Sequence, residues 1–190
     1  MTGAMPSYEI EPWPGSTVEA RIDQLAEVYA EVYSEPPYSS GQLWSRSAFV
    51  ERTRRQIRRE GFSFYAARDE QQIIGFSFGL SFAEGSWWAG GATEPSTELR
   101  RASKFAVIEL IVRKNWRRLG IGRQLLSTLL STRAEQYAIL TAMPNAEARA
   151  LYERWGWIQT GTAQHSPDSP VLDALALPLT TAAEPDSGLV

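Results

Sequence analysis

Apolar residues change their spacing several times along the chain, and each change predicts an element. In the first part the spacing is helical, at Val18, Ile22, Leu25, Val28, Tyr29 and Val32. Ser16–Glu19 has the order of a capping box, which predicts that this helix begins at Ser16, and Pro36 and Pro37 end it. A second helix is predicted from Ser47 to Glu60, with Gly61 at its end.

A period of two then replaces the helical period. Phe62 to Arg68 and Ile73 to Phe82 are predicted to form a β-hairpin around a polar turn. Ala83 to Ser103 is rich in glycine and polar residues around Trp87 and Trp88, so a long loop is expected, of a length that is more often functional than idle. Lys104 to Arg113 is nearly continuously apolar, as is typical of a strand covered on both faces.

Helices and strands alternate in the second half of the chain. The predicted elements are a helix at Ile121–Gln136, a strand at Ala138–Ala142, a helix at Asn145–Trp155, and strands at Trp157–Ala163 and Val171–Leu177. This alternation predicts at least one right-handed parallel crossover. Residues 179–190 are polar and small, so we expect a disordered tail after a single domain at 1–178.

Composition narrows the class of protein. The 190 residues carry a net charge of -3, which gives no general attraction for nucleic acid or anionic membranes, and no cysteine, which excludes disulfides and thiolate metal ligands. No secretory signal and no membrane-spanning run is visible, so a cytoplasmic location is expected. A basic helix face at Arg54, Arg55, Arg58 and Arg59 is typical of a solvated surface, and His165 alone makes no metal site.

Two glycines lie where the buried strand gives way to a helix. Gly120 and Gly122 remove side chains that would block a ligand, so the free amides at the helix start could face an anion such as a pyrophosphate. Arg117, Arg118 and Arg123 add positive charge at the same place. A tight strand-to-helix turn without a ligand would explain the glycines as well. Neither common nucleotide-binding loop fits the spacing.

The stretch Arg117-Arg118-Leu119-Gly120-Ile121-Gly122 resembles the Q/R-x-x-G-x-G/A signature of the GCN5-related N-acetyltransferases, the GNAT family. A second block, NAEARALYERWGW at Asn145–Trp157, is similar to the family pattern N-x-x-A-x-x-L-Y-x-x-x-G-F. The chain departs from the family at Lys114, where proline is frequent, and at Arg118, where glycine is frequent. The resemblance is strongest from Phe105 to Gly161.

This resemblance implies a single-domain α/β fold: a mixed, mostly antiparallel sheet with one splayed pair of parallel strands, flanked by about four helices. It also implies binding of acetyl-CoA or a close acyl-CoA, without a metal. The pantetheine arm would pair with the backbone of Leu110, Ile111 and Val112. The implied cofactor-binding residues beyond that strand are Arg117, Arg118, Leu119, Gly120, Ile121, Gly122, Arg123, Asn145 and Tyr152.

Three side chains have both a chemical and a structural interpretation. Tyr152 is similar in position to the family's general acid, although its helical spacing also fits core packing. Glu109 interrupts an apolar strand, where a carboxylate is costly to bury, so it is either a general base or half of a structural ion pair. Asn145 is expected to cap the helix after Pro144, and the resemblance adds a contact with the cofactor arm.

The acceptor implied by the resemblance is a small-molecule or peptide amine. Its candidate binding residues are Glu35, Tyr38, Trp87, Trp88 and Glu109, and acidic with aromatic groups would suit a cation. Exposed loop residues without a function would look the same. The predicted reaction is direct acetyl transfer in a ternary complex. The alternative is an acyl-CoA-binding sensor or interaction module that has lost turnover, and the sequence indicates no oligomeric state.

Overall fold

The computed structural model describes residues 7–38, 42–91 and 93–179. Within them, seven strands form one sheet in the order β1-β2-β3-β4-β5-β7-β6. The strands are β1 (Glu9–Pro12), β2 (Ser63–Asp69), β3 (Gln72–Phe82), β4 (Lys104–Val112), β5 (Tyr137–Ala142), β6 (Ile158–Ala163) and β7 (Leu172–Pro178). Neighbours are antiparallel except β4 and β5, which are parallel. The predicted hairpin and parallel crossover pair are therefore confirmed, as is the mixed, mostly antiparallel sheet.

Six α-helices accompany the sheet in the described ranges, where about four were expected. They are α1 (Gly15–Ala20), α2 (Ile22–Tyr33), α3 (Arg46–Gln56), α4 (Thr97–Arg101), α5 (Ile121–Leu130) and α6 (Glu147–Arg154). The two additional helices are short. One arises because the predicted first helix is divided at Arg21, and the other, α4, lies within the predicted long loop.

Helix boundaries differ from the predictions mainly where a cap was inferred. The capping box at Ser16 is wrong, because α1 begins at Gly15 after an extended Pro14 and has no side-chain cap. Asn145 is not the N-cap of α6 either; Ala146 holds that position. Helix α5 ends at Leu130, six residues before the predicted Gln136. The α3 prediction omitted its real cap, the Ser45 hydroxyl, which accepts a hydrogen bond from the Ala48 amide.

Apolar side chains pack on both faces of the sheet. On one face, α1 to α3 cover β2 and β3 through a cluster that includes Phe49, Phe76 and Phe78. On the other face, Leu126 and Leu129 of α5 pack on β4 and β5. Because β4 is covered on both sides, its nearly continuous apolar sequence is explained.

Strands β4 and β5 diverge after a short paired region. Their parallel pairing is confined to Lys104–Ala106 against Tyr137–Ile139, whereas β4 stays paired with β3 as far as Val112. The edge of β4 that faces β5 therefore has no strand partner from residue 107 onward. This is the expected splayed pair.

A β-bulge in β4 decides which face Glu109 occupies. Phe78 of β3 is opposite Glu109 and Gly79 is opposite Val107, so Ile108 is an extra residue. Strict alternation from Val107, which packs on the α5 face, would place Glu109 on that same face. The bulge moves the Glu109 side chain to the face covered by α2 and α3.

The C-terminal tail prediction lies almost wholly outside the described residues, because 180–190 are not among them. Leu179, which we assigned to the tail, donates its backbone N–H to the Gln136 carbonyl at 2.9 Å and packs against the core. The ordered structure thus extends at least one residue beyond the predicted boundary.

Candidate active site

The turn between β4 and α5 exposes backbone amides at the end of a buried strand. Gly120 adopts the left-handed conformation (φ 81°) and is the N-cap of α5. The first hydrogen bond of the helix runs from the Gln124 amide to the Gly120 carbonyl, so the amides of Ile121, Gly122 and Arg123 have no acceptor inside the helix. Together with the helix dipole they form a positive, donor-rich end.

Open space lies around both glycines. A Cβ added at Gly120 would meet nothing within 4 Å, and one at Gly122 would meet only Val112 Cγ2, at 3.7 Å. The absence of side chains here is therefore not demanded by packing against the protein. For Gly120 the positive φ is one reason for glycine.

The three arginines of this turn differ in what they contact. Arg117 forms a bidentate pair with Glu35, with both N···O distances at 2.9 Å, and its Nε donates to the Val112 carbonyl at 3.0 Å. The pair lowers the pKa of Glu35. Arg118 and Arg123 form no ion pair with any described residue, so their charges are free to face an anion.

Arg118 holds a strained backbone conformation. Its φ is 65°, in the left-handed region that non-glycine residues rarely adopt. The sequence analysis noted arginine at this position in place of glycine, and glycine is the residue that adopts a positive φ without strain. Leu119 beside it is exposed.

Leu110, Ile111 and Val112 lie on the part of β4 whose edge toward β5 has no strand partner, while their side chains pack into the protein. Ile111 lies in the core under α2 and α3, and Leu110 and Val112 pack toward α5. Since backbone groups alternate between the two edges of a strand and Arg113 donates its amide to Ile74 of β3, the main-chain groups of Leu110 and Val112 are the ones that face the open edge.

Glu109 is a buried carboxylate with two partners. Its side chain is 8% exposed, the Tyr33 hydroxyl donates to Oε2 at 2.7 Å, and Arg52 lies 3.9 Å from Oε1. Burial raises the pKa of Glu109 to about 7, although Arg52 and the Tyr33 hydrogen bond act in the opposite direction. Both interpretations of this residue therefore have a basis: a loose ion pair is present, and the carboxyl titrates near neutral pH.

Tyr152 is also buried, at 8% exposure, on the inner side of α6. Its ring contacts Trp155 and Trp157 with centroids 5.9 Å away in each case. Burial raises the pKa of Tyr152 above its usual value, and Tyr38 and Glu109 raise it further. The packing interpretation is thus correct for the ring.

The predicted acceptor residues divide between two places. Burial raises the pKa of Tyr38 to about 12, and the negative charge of Glu109 acts in the same direction. Glu35 is bound to Arg117 instead of facing an open pocket. Trp87 and Trp88 pack beside Ile108, and both indole N–H groups are buried without a hydrogen-bond partner among the described residues. Asn145 is exposed.

Three residues of this site were missed by the sequence analysis. Tyr33 and Arg52 hold Glu109, and Trp44 contacts Tyr33 and Tyr38. Tyr33 lies just beside the apolar stripe of its helix, which was the one available signal. Arg52 precedes the basic face of α3, and nothing in the sequence connects it to position 109.

Two further classes of feature bear on the site. No group of three or more His, Asp or Glu side chains in the described ranges could hold a metal ion. Among the helices of those same ranges, none has the length and apolarity needed to cross a membrane.

Comparison with known proteins agrees with this geometry. Residues 22–157, more than half of the chain, match the acetyltransferase (GNAT) family. No curated protein matches the sequence.

Solved structures with the same fold include three acetyltransferases, each under 25% identical. The PaiA N-acetyltransferase of Thermoplasma acidophilum, in complex with coenzyme A, has a TM-score of 0.61 and 14% identity over 91% of this chain and 99% of its own. An acetyltransferase of Thermus thermophilus has a TM-score of 0.62 and 15% identity, over 91% of this chain and 97% of its own. The ribosomal-protein-S18-alanine N-acetyltransferase of Escherichia coli has a TM-score of 0.62 and 16% identity, over 94% of this chain and 98% of its own. With the splayed strands and the glycine turn in their expected places, the family match identifies this chain as a member of the GNAT acetyltransferase family.

Proposed function

We propose that the protein is an N-acetyltransferase that moves an acetyl group from acetyl-CoA to a primary amine by direct transfer in a ternary complex. The observation that carries this proposal is the position of Glu109. A buried carboxyl with a pKa near 7 lies on the strand whose open edge leads into the glycine turn. The candidate base thus lies on β4, and the anion site lies in the turn that follows the same strand.

The donor fits the open edge and the turn. The amides of Ile121, Gly122 and Arg123 would bind the diphosphate, with Arg118 and Arg123 adding charge. The main chain of Leu110–Val112 would pair with the pantetheine arm along the unpaired edge of β4. When bound there, the donor supplies an activated acetyl group as a thioester. Asn145 and Leu119 remain predicted contacts of the same ligand.

Glu109 would act as the general base. A carboxyl with a pKa of about 7 is largely ionised just above neutral pH, yet basic enough to accept a proton from an ammonium group brought close to it. The neutral amine then attacks the thioester carbonyl carbon. A C–N bond forms and the C–S bond breaks, so the acetyl group becomes part of the amide product.

Tyr152 would supply the proton that the departing thiolate needs. Because burial keeps its pKa above the usual value, the hydroxyl is protonated throughout the neutral range. The same shift makes it a weak acid, so its contribution depends on a position beside the sulfur and not on acidity. The second N–H proton of the amine passes to solvent, solvent returns a proton to Tyr152 and takes one from Glu109, and the net products are the amide, free CoA and one proton.

Arg117 is better suited to positioning than to phosphate binding. Its guanidinium joins Glu35, just after α2, to the Val112 carbonyl at the end of β4. We therefore propose that this pair braces the glycine turn against α2, and that Glu35 contributes to acceptor binding only through this brace.

The test is a panel of primary amines assayed for release of free CoA with a thiol reagent. The protein contains no cysteine, so all thiol signal comes from the product. Titration calorimetry with acetyl-CoA runs beside it. Binding together with CoA release that depends on an amine supports the proposal. Binding without release from any amine would favour the sensor alternative, and no binding would reject both.

A further inference from the structure

Three aromatic rings lie together, and one of them is hydrogen-bonded to Glu109. Tyr33, Tyr38 and Trp44, here called the aromatic triad, contact one another with centroids 4.7 Å, 5.6 Å and 6.4 Å apart. All three side chains are partly exposed, unlike the neighbouring Tyr29 and Phe49, which are fully buried. The triad is therefore a surface that a ligand can reach and not only a part of the core.

The triad is joined to Glu109 through Tyr33, which donates its hydroxyl hydrogen to the carboxylate at 2.7 Å. The Tyr38 ring lies against the Tyr33 ring, with centroids 4.7 Å apart. Aromatic rings next to a carboxylate attract a cation by the negative potential of the ring faces.

Apolar side chains also pack around Ile108, the bulged residue before Glu109. Ile108 packs both against the cluster under α2 and α3 and against the cluster that contains Trp87 and Trp88. Glu109 thus has a ring of the aromatic triad as its hydrogen-bond partner and, as its neighbour along β4, a residue that packs beside two indoles.

Two acidic side chains of α2 and the segment after it, among the residues that the structure describes, are paired with arginines. Glu35 is held by Arg117 and Glu31 by Arg113. The other charged group at Glu109 is the Arg52 guanidinium. A second positive charge on an acceptor would therefore meet cations instead of a free carboxylate, which disfavours polyamines and other polycations.

We propose that the acceptor is a primary amine with a single positive charge, carried on an aromatic or similarly apolar group. The aromatic triad packs against that group and attracts the ammonium until Glu109 takes its proton. This inference rests on the proposed N-acetyltransferase function and names the substrate class of the same site.

The first test needs only the unmodified protein. Values of kcat/KM are compared for 2-phenylethylamine, propylamine and 1,4-diaminobutane with saturating acetyl-CoA. We expect 2-phenylethylamine to exceed both of the others by at least about tenfold, since packing on rings and a single charge both favour it. A higher value for the diamine or for propylamine would overturn the inference while leaving the N-acetyltransferase function intact. CoA release with none of the three, while other amines of the wider panel react, would also overturn the inference alone.

The second test assigns the preference to the triad. Trp44→Leu should lower the ratio of kcat/KM for 2-phenylethylamine over propylamine by roughly 3- to 10-fold, whereas Trp44→Phe, which keeps a ring, should restore most of it. The affinity for acetyl-CoA should not change in either variant. An equal loss for both amines would show a purely structural role and contradict the inference. Should Trp44→Leu fail to fold, Tyr38→Leu against Tyr38→Phe gives the same comparison.

Discussion

The two halves of the proposed site, on either side of β4, are built from different material. The donor half is main chain: the open strand edge and the amides around Gly120 and Gly122. The acceptor half is side chain: a buried carboxylate and three rings from α2, the following segment and β4. The donor half depends on positions without side chains, which leave room for a ligand beside the backbone. The acceptor half depends on which side chains come into contact in the folded protein.

This difference predicts how each half responds to substitution. Removal of a functional group should affect the acceptor half most. Addition of bulk should affect the donor half most, because its ligand needs the space that the glycines leave. Four substitutions test the contrast.

The largest effect is expected for Glu109→Gln. Loss of the general base should lower kcat/KM about 1000-fold, while acetyl-CoA affinity is kept because the donor half is untouched. In the unmodified enzyme, kcat/KM should rise with pH around the Glu109 pKa of about 7, since the base must be ionised. This rise in kcat/KM should be absent in the variant, whose pH profile should show only the rise caused by deprotonation of the amine substrate. An unchanged pH profile would remove Glu109 as the base.

The same substitution should alter the pH dependence of stability. The folded-state pKa of Glu109 is raised from 4.5 to about 7, so the folded protein binds the proton more tightly than the unfolded chain. The Glu109 contribution to the free energy of unfolding is therefore fully present below about pH 4.5 and is lost as the pH rises to about 7. Denaturant unfolding across this range should show a decline that Glu109→Gln lacks. A parallel decline in both proteins would mean that the carboxyl does not titrate there.

Tyr152→Phe is expected to lower kcat about 100-fold with no change in acetyl-CoA affinity. The ring contacts with Trp155 and Trp157 are kept, so the melting temperature should stay near that of the parent. Steady-state kinetics with calorimetry separates the two quantities. Equal kcat values would leave Tyr152 as a packing residue only.

Gly122→Val should weaken acetyl-CoA binding about tenfold or more by filling the space beside the free amides. Because a Cβ there lies 3.7 Å from Val112 Cγ2, the fold should tolerate the change. Ser127→Val, at an exposed position of the same helix, is the matched control and should bind normally. Calorimetry that gives the same Kd for both variants would argue against a diphosphate at the turn.

Arg118→Gly is expected to have the smallest effect. It should raise the melting temperature and lower the affinity for acetyl-CoA. Glycine relieves the strain at φ 65°, which is worth about 1 kcal/mol, so the melting temperature should rise by roughly 2 °C to 4 °C. Acetyl-CoA affinity should fall a few-fold with the lost charge. Leu119→Gly, next to it and without a positive φ, should instead lower the melting temperature. A fall in melting temperature for Arg118→Gly would mean that its side chain stabilises the turn.

The glycine turn of the proposed donor half and the elements around it could be predicted from the sequence. Gly120 is informative because glycine adopts a positive φ without strain, and its φ in the structure is 81°. The alternation of strands and helices likewise predicted the hairpin and the parallel pair, because both follow from local periodicity. The helix caps were wrong at Ser16 and Asn145, since one residue of shift in the backbone removes a capping contact.

The acceptor half of the proposed site depends on contacts between distant segments, which local sequence patterns do not predict. The bulge at Ile108 moves Glu109 to the α2 face, and period-two spacing alone would have placed it on the opposite face. Tyr33 and Arg52 reach that carboxylate from other segments of the chain, and Arg117 binds Glu35 from 82 residues away. Burial and charge pairing depend on which segments come together, so the pKa of Glu109 and the pairing of Glu35 exist only in the folded molecule.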